Sequence, residues 1–167
     1  MRAWAAGAGT ATFFVVAPGT VVGVIPWLIT GWTLPNSGGL WRVAQVVGGA
    51  LIAAGLVPLL HAFTEFAKAG GTPAPVAPTE HLVVTGFNRY VRNPMYVGLV
   101  LVILGQALVF RSLGLLGYAA AVWVITASFV RGYEQPTLAR QYGAEYETYR
   151  RNVPAWLPRL HPWRPSS

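Results

Sequence analysis

Four uncharged stretches, residues 10–32, 43–61, 95–110 and 112–130, set the terms on which this chain can fold. Each approaches the ~20 apolar residues a helix needs to cross a hydrocarbon core about 30 Å thick, where every backbone N–H and C=O must be bonded within the helix. The expectation is an all-α integral membrane protein with four transmembrane helices, forming one membrane domain over residues 1–167. Composition agrees, since only 10% of the residues are charged and 54% are hydrophobic, against roughly 25% charged in soluble domains. Pro18, Gly19 and Pro26 predict a kink in the first span, for which packing among membrane helices is sufficient reason. A signal peptide is the poorer account of that segment: Arg2 is a thin basic region, and the apolar run passes Trp27 without a small-residue cleavage site.

The net charge of +7 is first a matter of topology. With the N-terminus cytoplasmic, Arg2, Lys68, Arg89, Arg92, Arg131, Arg140, Arg150, Arg151, Arg159 and Arg164 fall inside, and only Arg42 and Arg111 fall outside. That asymmetry predicts both termini in the cytoplasm; the expected location is the inner membrane of a bacterium. Contact with anionic membrane lipids follows, whereas basic residues that flank spans do not make a nucleic-acid surface. There is no cysteine, hence no thiolate nucleophile, disulfide or Cys-ligated metal. His61, His81 and His161 show no ligand spacing, and no metal is expected.

The ionisable residues gather in two cytoplasmic segments. In the first, 68–93, Pro73, Pro75 and Pro78 favour an extended connector, and Leu82, Val83 and Val84 an extended stretch that turns at Gly86. Pro94 after Asn93 suits the first turn of a helix, whose free N–H groups, beside Arg89 and Arg92, offer a place for a carboxylate or phosphate. In the second, 134–167, Leu138, Tyr142, Tyr146, Tyr149 and Val153 step along one face of an amphipathic C-terminal helix. Interfacial packing alone would account for that stripe, with Trp156 and Trp163 as interface anchors. Glu134 is less easily explained. A carboxylate directly after an uncharged span needs either an ion pair, for which Arg131 is the neighbour, or a ligand that donates to it.

The run Gly86-Phe87-Asn88-Arg89-Tyr90-Val91-Arg92-Asn93-Pro94-Met95-Tyr96-Val97-Gly98, followed by Glu134-Gln135-Pro136 and then Leu138, Tyr142, Gly143, Tyr146, Tyr149, Val153 and Pro154, resembles the isoprenylcysteine carboxyl methyltransferase and phospholipid methyltransferase superfamily over residues 71–158. The resemblance implies an integral-membrane enzyme that moves a methyl group from S-adenosylmethionine to a lipophilic acceptor entering from the bilayer. It implies cofactor contacts from Glu80, Leu82, Val83, Asn88, Arg89, Arg92, Asn93, Pro94, Met95, Tyr96, Glu134 and Tyr146, with Glu134 and Arg131 nearest the chemistry. The chain departs from the pattern at Asn93, where the isoprenylcysteine enzymes have His, and at Asn88, where Tyr is usual. It departs again at Val130, four residues before the Glu, where the carboxyl-methylating branch has Arg. Displacement at a sulfonium needs alignment and exclusion of water more than a nucleophilic side chain, so the lack of a triad is no obstacle. Two other readings stand beside this one: a non-catalytic membrane scaffold or interaction subunit, and a steroid-reductase-like NADPH-dependent membrane reductase, for which no Gly-x-Gly-x-x-Gly is present.

The topology is checked by cysteine labelling in intact cells. Cysteine placed at Asn36 should react with a membrane-impermeant reagent and cysteine at Thr72 should not; the reverse pattern would invert the orientation.

Overall fold

The computed structural model describes residues 12, 15–36, 38–68, 81, 82 and 84–165. Among them there is no strand. The chain forms α1 (Val15–Thr30), α2 (Leu40–Lys68), α3 (Pro94–Val109), α4 (Leu113–Tyr142) and α5 (Ala144–Asn152), with a 3-10 turn at Gly86–Arg89 ahead of α3. Two of these, α2 and α4, are long and apolar enough to cross a membrane; α1 and α3 are shorter apolar helices. The ends follow local rules. Pro94 opens α3 behind a non-helical Asn93 (φ −121°, ψ 59°), and the Ser112 Oγ caps α4 by accepting the Leu115 N–H at 3.1 Å.

α3 lies at the centre, with α2 along one side and α4 along the other. The α2–α3 contact is made by glycines seven residues apart on both helices. A Cβ on Gly48 would sit 2.6 Å from the Gly105 carbonyl oxygen, and one on Gly55 2.6 Å from that of Gly98. The reverse pairs are as tight, at 2.5 Å from Gly105 to the Gly48 oxygen and 2.7 Å from Gly98 to that of Gly55. Two antiparallel helices thus touch backbone to backbone at two levels, which only residues without a side chain permit. On the other side Ile103, Ala107, Leu115, Ala119 and Val122 form the buried core between α3 and α4.

Two helices, α1 and α4, widen just before a proline. In α1 a π turn spans Thr20–Val24, where the Ile25 N–H reaches Thr20 O, and Pro26 brings no N–H at all. The carbonyls of Val21 and Val22 therefore lose their ordinary helical donors. Tyr118 on α4 donates its hydroxyl to Val21 O at 2.8 Å, and the buried Gln106 amide of α3 donates to Val22 O at 2.7 Å while accepting from Trp32 Nε1 at 3.2 Å. α4 repeats the device: a π turn spans Val130–Glu134, the Gln135 N–H goes to Val130 O, and Pro136 follows.

The C-terminal amphipathic helix differs from its sequence pattern. Its first part continues α4 without a break, and the interruption falls at Gly143, whose φ of 52° and ψ of −119° suit glycine alone. The apolar stripe survives the break, because Tyr146, Tyr149 and Val153 are buried and Leu138 and Tyr142 pack against them.

The glycine contact makes a direct prediction. Gly55→Ala should lower the thermal midpoint by the equivalent of about 1–3 kcal/mol, as expected for overpacking. Gly49→Ala, where nothing lies within 4 Å, should be neutral or stabilising by up to about 1 kcal/mol through helix propensity. A melt in detergent that ranked the two the other way would refute the close contact.

Candidate functional site

The segment before α3 is held by the C-terminal tail. Gly86 starts it in a left-handed conformation (φ 56°), and a Cβ there would come within 3.0 Å of the His61 ring, so both backbone and space call for glycine. Phe87 meets the same ring edge-on at 5.1 Å. Residues 88–93 then bond to the tail one after another. Tyr149 donates its hydroxyl to Asn88 O at 2.7 Å, and the Trp163 N–H and Arg159 N–H donate to Arg89 O and Tyr90 O, each at 2.9 Å. The Arg92 N–H donates to Pro154 O at 2.9 Å, and Asn93 Nδ2 to Ala155 O at 3.0 Å. Both arginines serve in this clamp, Arg89 through Nε to Trp163 O and Arg92 through Nε to Val153 O, both at 2.9 Å. Asn93 is 5% exposed, and its amide is consumed by the tail. Of the Arg92 guanidinium, Nη1 reaches the Tyr146 hydroxyl at 3.4 Å, and Nη2 is unengaged among the described residues.

Glu134 stands where the two motifs meet. It lies beyond the uncharged run that ends at Val130, is half-buried, and among the described residues accepts no hydrogen bond and makes no ion pair. Arg131 is exposed and does not pair with it, because the wider π turn takes the two residues out of the i,i+3 alignment of an α-helix. Burial pushes the Glu134 carboxyl above the usual carboxylate range. The Glu134 charge acts on the Tyr96 hydroxyl and on that of Tyr149. Burial, partly opposed by Arg92 and aided by Tyr146 and Glu134, raises the Tyr149 phenol well above its ordinary value and keeps it a donor. Glu134, Tyr96, Arg92, Tyr146 and Tyr149 thus share one neighbourhood at the junction of α3, α4 and α5.

The other expected site residues spread around it. Met95 and Tyr96 pack on the cluster of Leu59, Leu99 and Val102. Pro94 faces the α2 side, in an apolar cavity of about 420 Å³. Arg89 borders a smaller cavity with His61, Gly86, Phe87 and Tyr90. Asn88 is exposed and takes part through its carbonyl. Leu82 lines a cavity of about 390 Å³ with Val84, Glu145, Thr148 and Trp163. Glu80 and Val83 lie outside the described residues. Glu145 carried no signal in the sequence, yet its carboxylate accepts the Leu82 N–H at 2.7 Å and contacts His81 Nδ1 at 2.7 Å, fastening the start of the loop to α5.

The fold is an apolar helical bundle with Glu134, Tyr96, Arg92, Tyr146 and Tyr149 gathered at one junction. The chain matches the phospholipid methyltransferase family over residues 43–145, more than half of its length, and belongs to that family. It is also 35% identical over 81 residues to the protein-S-isoprenylcysteine O-methyltransferase of Schizosaccharomyces pombe (strain 972 / ATCC 24843), covering 47% of this chain and 34% of that protein. The match therefore spans about a third of the curated relative's length. No solved structure matches.

The Glu145 anchor makes the loop sensitive to pH. Its carboxyl is held below the usual range by the bond to His81 and then by the Leu82 N–H. A depressed folded pKa stabilises at pH above the unfolded carboxylate value and loses that stabilisation as pH falls through the lowered one. Limited proteolysis near residue 82 should be slow at neutral pH and accelerate in strong acid. Glu145→Gln should be cut readily at neutral pH and lose the acid dependence.

Proposed function

We propose that this protein is an S-adenosylmethionine-dependent integral-membrane methyltransferase acting on a lipophilic acceptor drawn from the bilayer. The observation that carries this reading is the half-buried Glu134 carboxylate, unpartnered among the described residues, whose charge acts on the Tyr96 and Tyr149 hydroxyls, in a chain of this family. A desolvated carboxylate without a donor is unfavourable until a ligand supplies one. The residues present fit the cofactor chemically. Glu134 accepts from its cationic or hydroxyl groups, the unengaged Nη2 of Arg92 donates to its carboxylate, and Tyr96, Tyr146 and Leu82 offer apolar and aromatic surface. Glu80, Val83, Asn88, Arg89, Asn93, Pro94 and Met95 complete the proposed contact set, several of them by holding the loop in place. When bound, S-adenosylmethionine supplies an electrophilic methyl group on a sulfonium. The protein's part is to hold donor and acceptor in line and keep water out, at the end of a bundle whose sides face lipid. Glu134 and Arg131 are the residues assigned nearest the acceptor. Val130, buried and apolar, brings no cation to it.

In this reading α1 and α3 span the membrane together with α2 and α4. α3 has 16 residues, about 24 Å of rise, so the bilayer thins around it or it relies on its longer neighbours. Both termini and the Glu134 site lie on the cytoplasmic side, in agreement with the distribution of Lys and Arg.

Titration calorimetry of the protein in detergent with S-adenosylmethionine tests the proposal. Glu134→Ala should bind about tenfold to hundredfold more weakly while melting normally, the loss expected for one charge-assisted hydrogen bond. Affinity of the unmodified protein should rise with pH as Glu134 ionises. Tyr149→Phe should instead lower stability, because Asn88 O loses its buried donor. No binding by the unmodified protein, or unchanged affinity in folded Glu134→Ala, would overturn the assignment.

A further inference from the structure

On the side of α3 turned away from Glu134 lies an apolar cavity of about 420 Å³, walled by Val57 and Pro58 of α2 and by Val97 and Leu101 of α3. Phe87 and Tyr90 close its cytoplasmic end and also line a second cavity of about 310 Å³, which His61 and Arg89 border. The two spaces thus adjoin at a pair of aromatic rings that line both, one space apolar and the other bordered by basic side chains. Tyr96 follows Pro94 by two residues, about 200° around α3, and precedes Val97 by about 100°, so this chamber and the neighbourhood of Glu134 lie on different faces of the helix.

We propose that this chamber binds a membrane lipid with an anionic head group, its chain lying between α2 and α3 and its head against Arg89 and His61. Charge complementarity identifies the occupant. The guanidinium of Arg89 is fixed by the bond from Nε to Trp163 O, and its two terminal nitrogens have no partner among the described residues. A guanidinium presented edge-on in this way matches the paired oxygens of a phosphate or carboxylate, and a zwitterionic head would bring a competing cation. The cytoplasmic leaflet, towards which this mouth faces, carries the anionic lipids. The walls are apolar throughout, and α2 is exposed along Ala54 and Val57, so a chain can enter sideways from the bilayer. A lipid here takes no part in the reaction itself: it engages the Arg89 guanidinium and holds the loop 86–90 against α2 and α3, and Arg89 and Pro94 then serve the cofactor site only by positioning that loop.

The test uses the full chain in a neutral detergent and native mass spectrometry with phosphatidylglycerol and phosphatidylcholine of identical acyl chains. Inorganic phosphate and dodecyl phosphate serve as head-only and single-chain probes. Phosphatidylglycerol should be retained at least about tenfold more tightly than phosphatidylcholine, dodecyl phosphate should compete, and inorganic phosphate should not. Arg89→Gln keeps an N–H for Trp163 O but removes the charge, and should abolish the preference between the lipids. Ala54→Phe fills the chamber from the exposed side of α2 and should weaken both lipids at least tenfold without touching Arg89. Equal retention of the two lipids, competition by inorganic phosphate alone, or retention within twofold in folded Ala54→Phe would each overturn the proposal.

Discussion

The contact between the glycines of α2 and α3 is what everything else in this protein hangs on. Backbone carbonyls at Gly48, Gly55, Gly98 and Gly105 sit where Cβ atoms would otherwise be. In a bilayer, where lipid tails are as apolar as leucine, such close approach supplies the dispersion contacts that hold helices together. Two levels of contact fix rotation and tilt as well as distance. The first turn of α3, with Met95 and Tyr96, is thereby set against Leu59, and the loop leading into it is aimed at the tail.

Proline and the π turn do complementary work on the other helices. In α1 the two carbonyls released ahead of Pro26 become docking points for Gln106 and Tyr118, so a local fault in one helix becomes a bond to two others. In α4 the same arrangement ahead of Pro136 alters the spacing of side chains just where the helix leaves the apolar zone. Glu134 is carried inward towards Tyr96 and Tyr149, and Arg131 is carried outward. Widened turns of this sort recur at functional sites because they re-aim a side chain without ending the helix.

Much of this could be read along the chain. The uncharged runs mark the starts of α2, α3 and α4 to within a few residues, but α2 and α4 continue well past them, to Lys68 and Tyr142. The Asn93-Pro94 step marks the start of α3, since proline acts on its immediate neighbours and leaves a local record. The stripe from Leu138 to Val153 names the face that is buried. What stayed hidden depends on distance in sequence. Glycines seven apart in two helices carry meaning only once the helices are known to be antiparallel partners. The tail clamp is made largely of carbonyl oxygens, which every residue has, so neither its place on residues 153–155 nor its use of both arginines leaves a mark in side-chain type. Glu145 and His81 are likewise joined only in space. The stripe reads as one helix straight through Gly143, and only the backbone angles there show the break.

The bond between Gln106 and α1 also bears on how the protein is made. α1 is made before α3, with two carbonyls that no neighbour yet satisfies, and in the proposed membrane arrangement α3 follows with an amide that has no place in hydrocarbon. Each is an unstable intermediate alone, and the pair is stable only when the helices have met. In the proposed membrane arrangement, insertion and packing are therefore coupled: a chain that fails to dock α1 leaves the Gln106 amide without its partner at Val22 O, a polar group that is costly to hold in hydrocarbon.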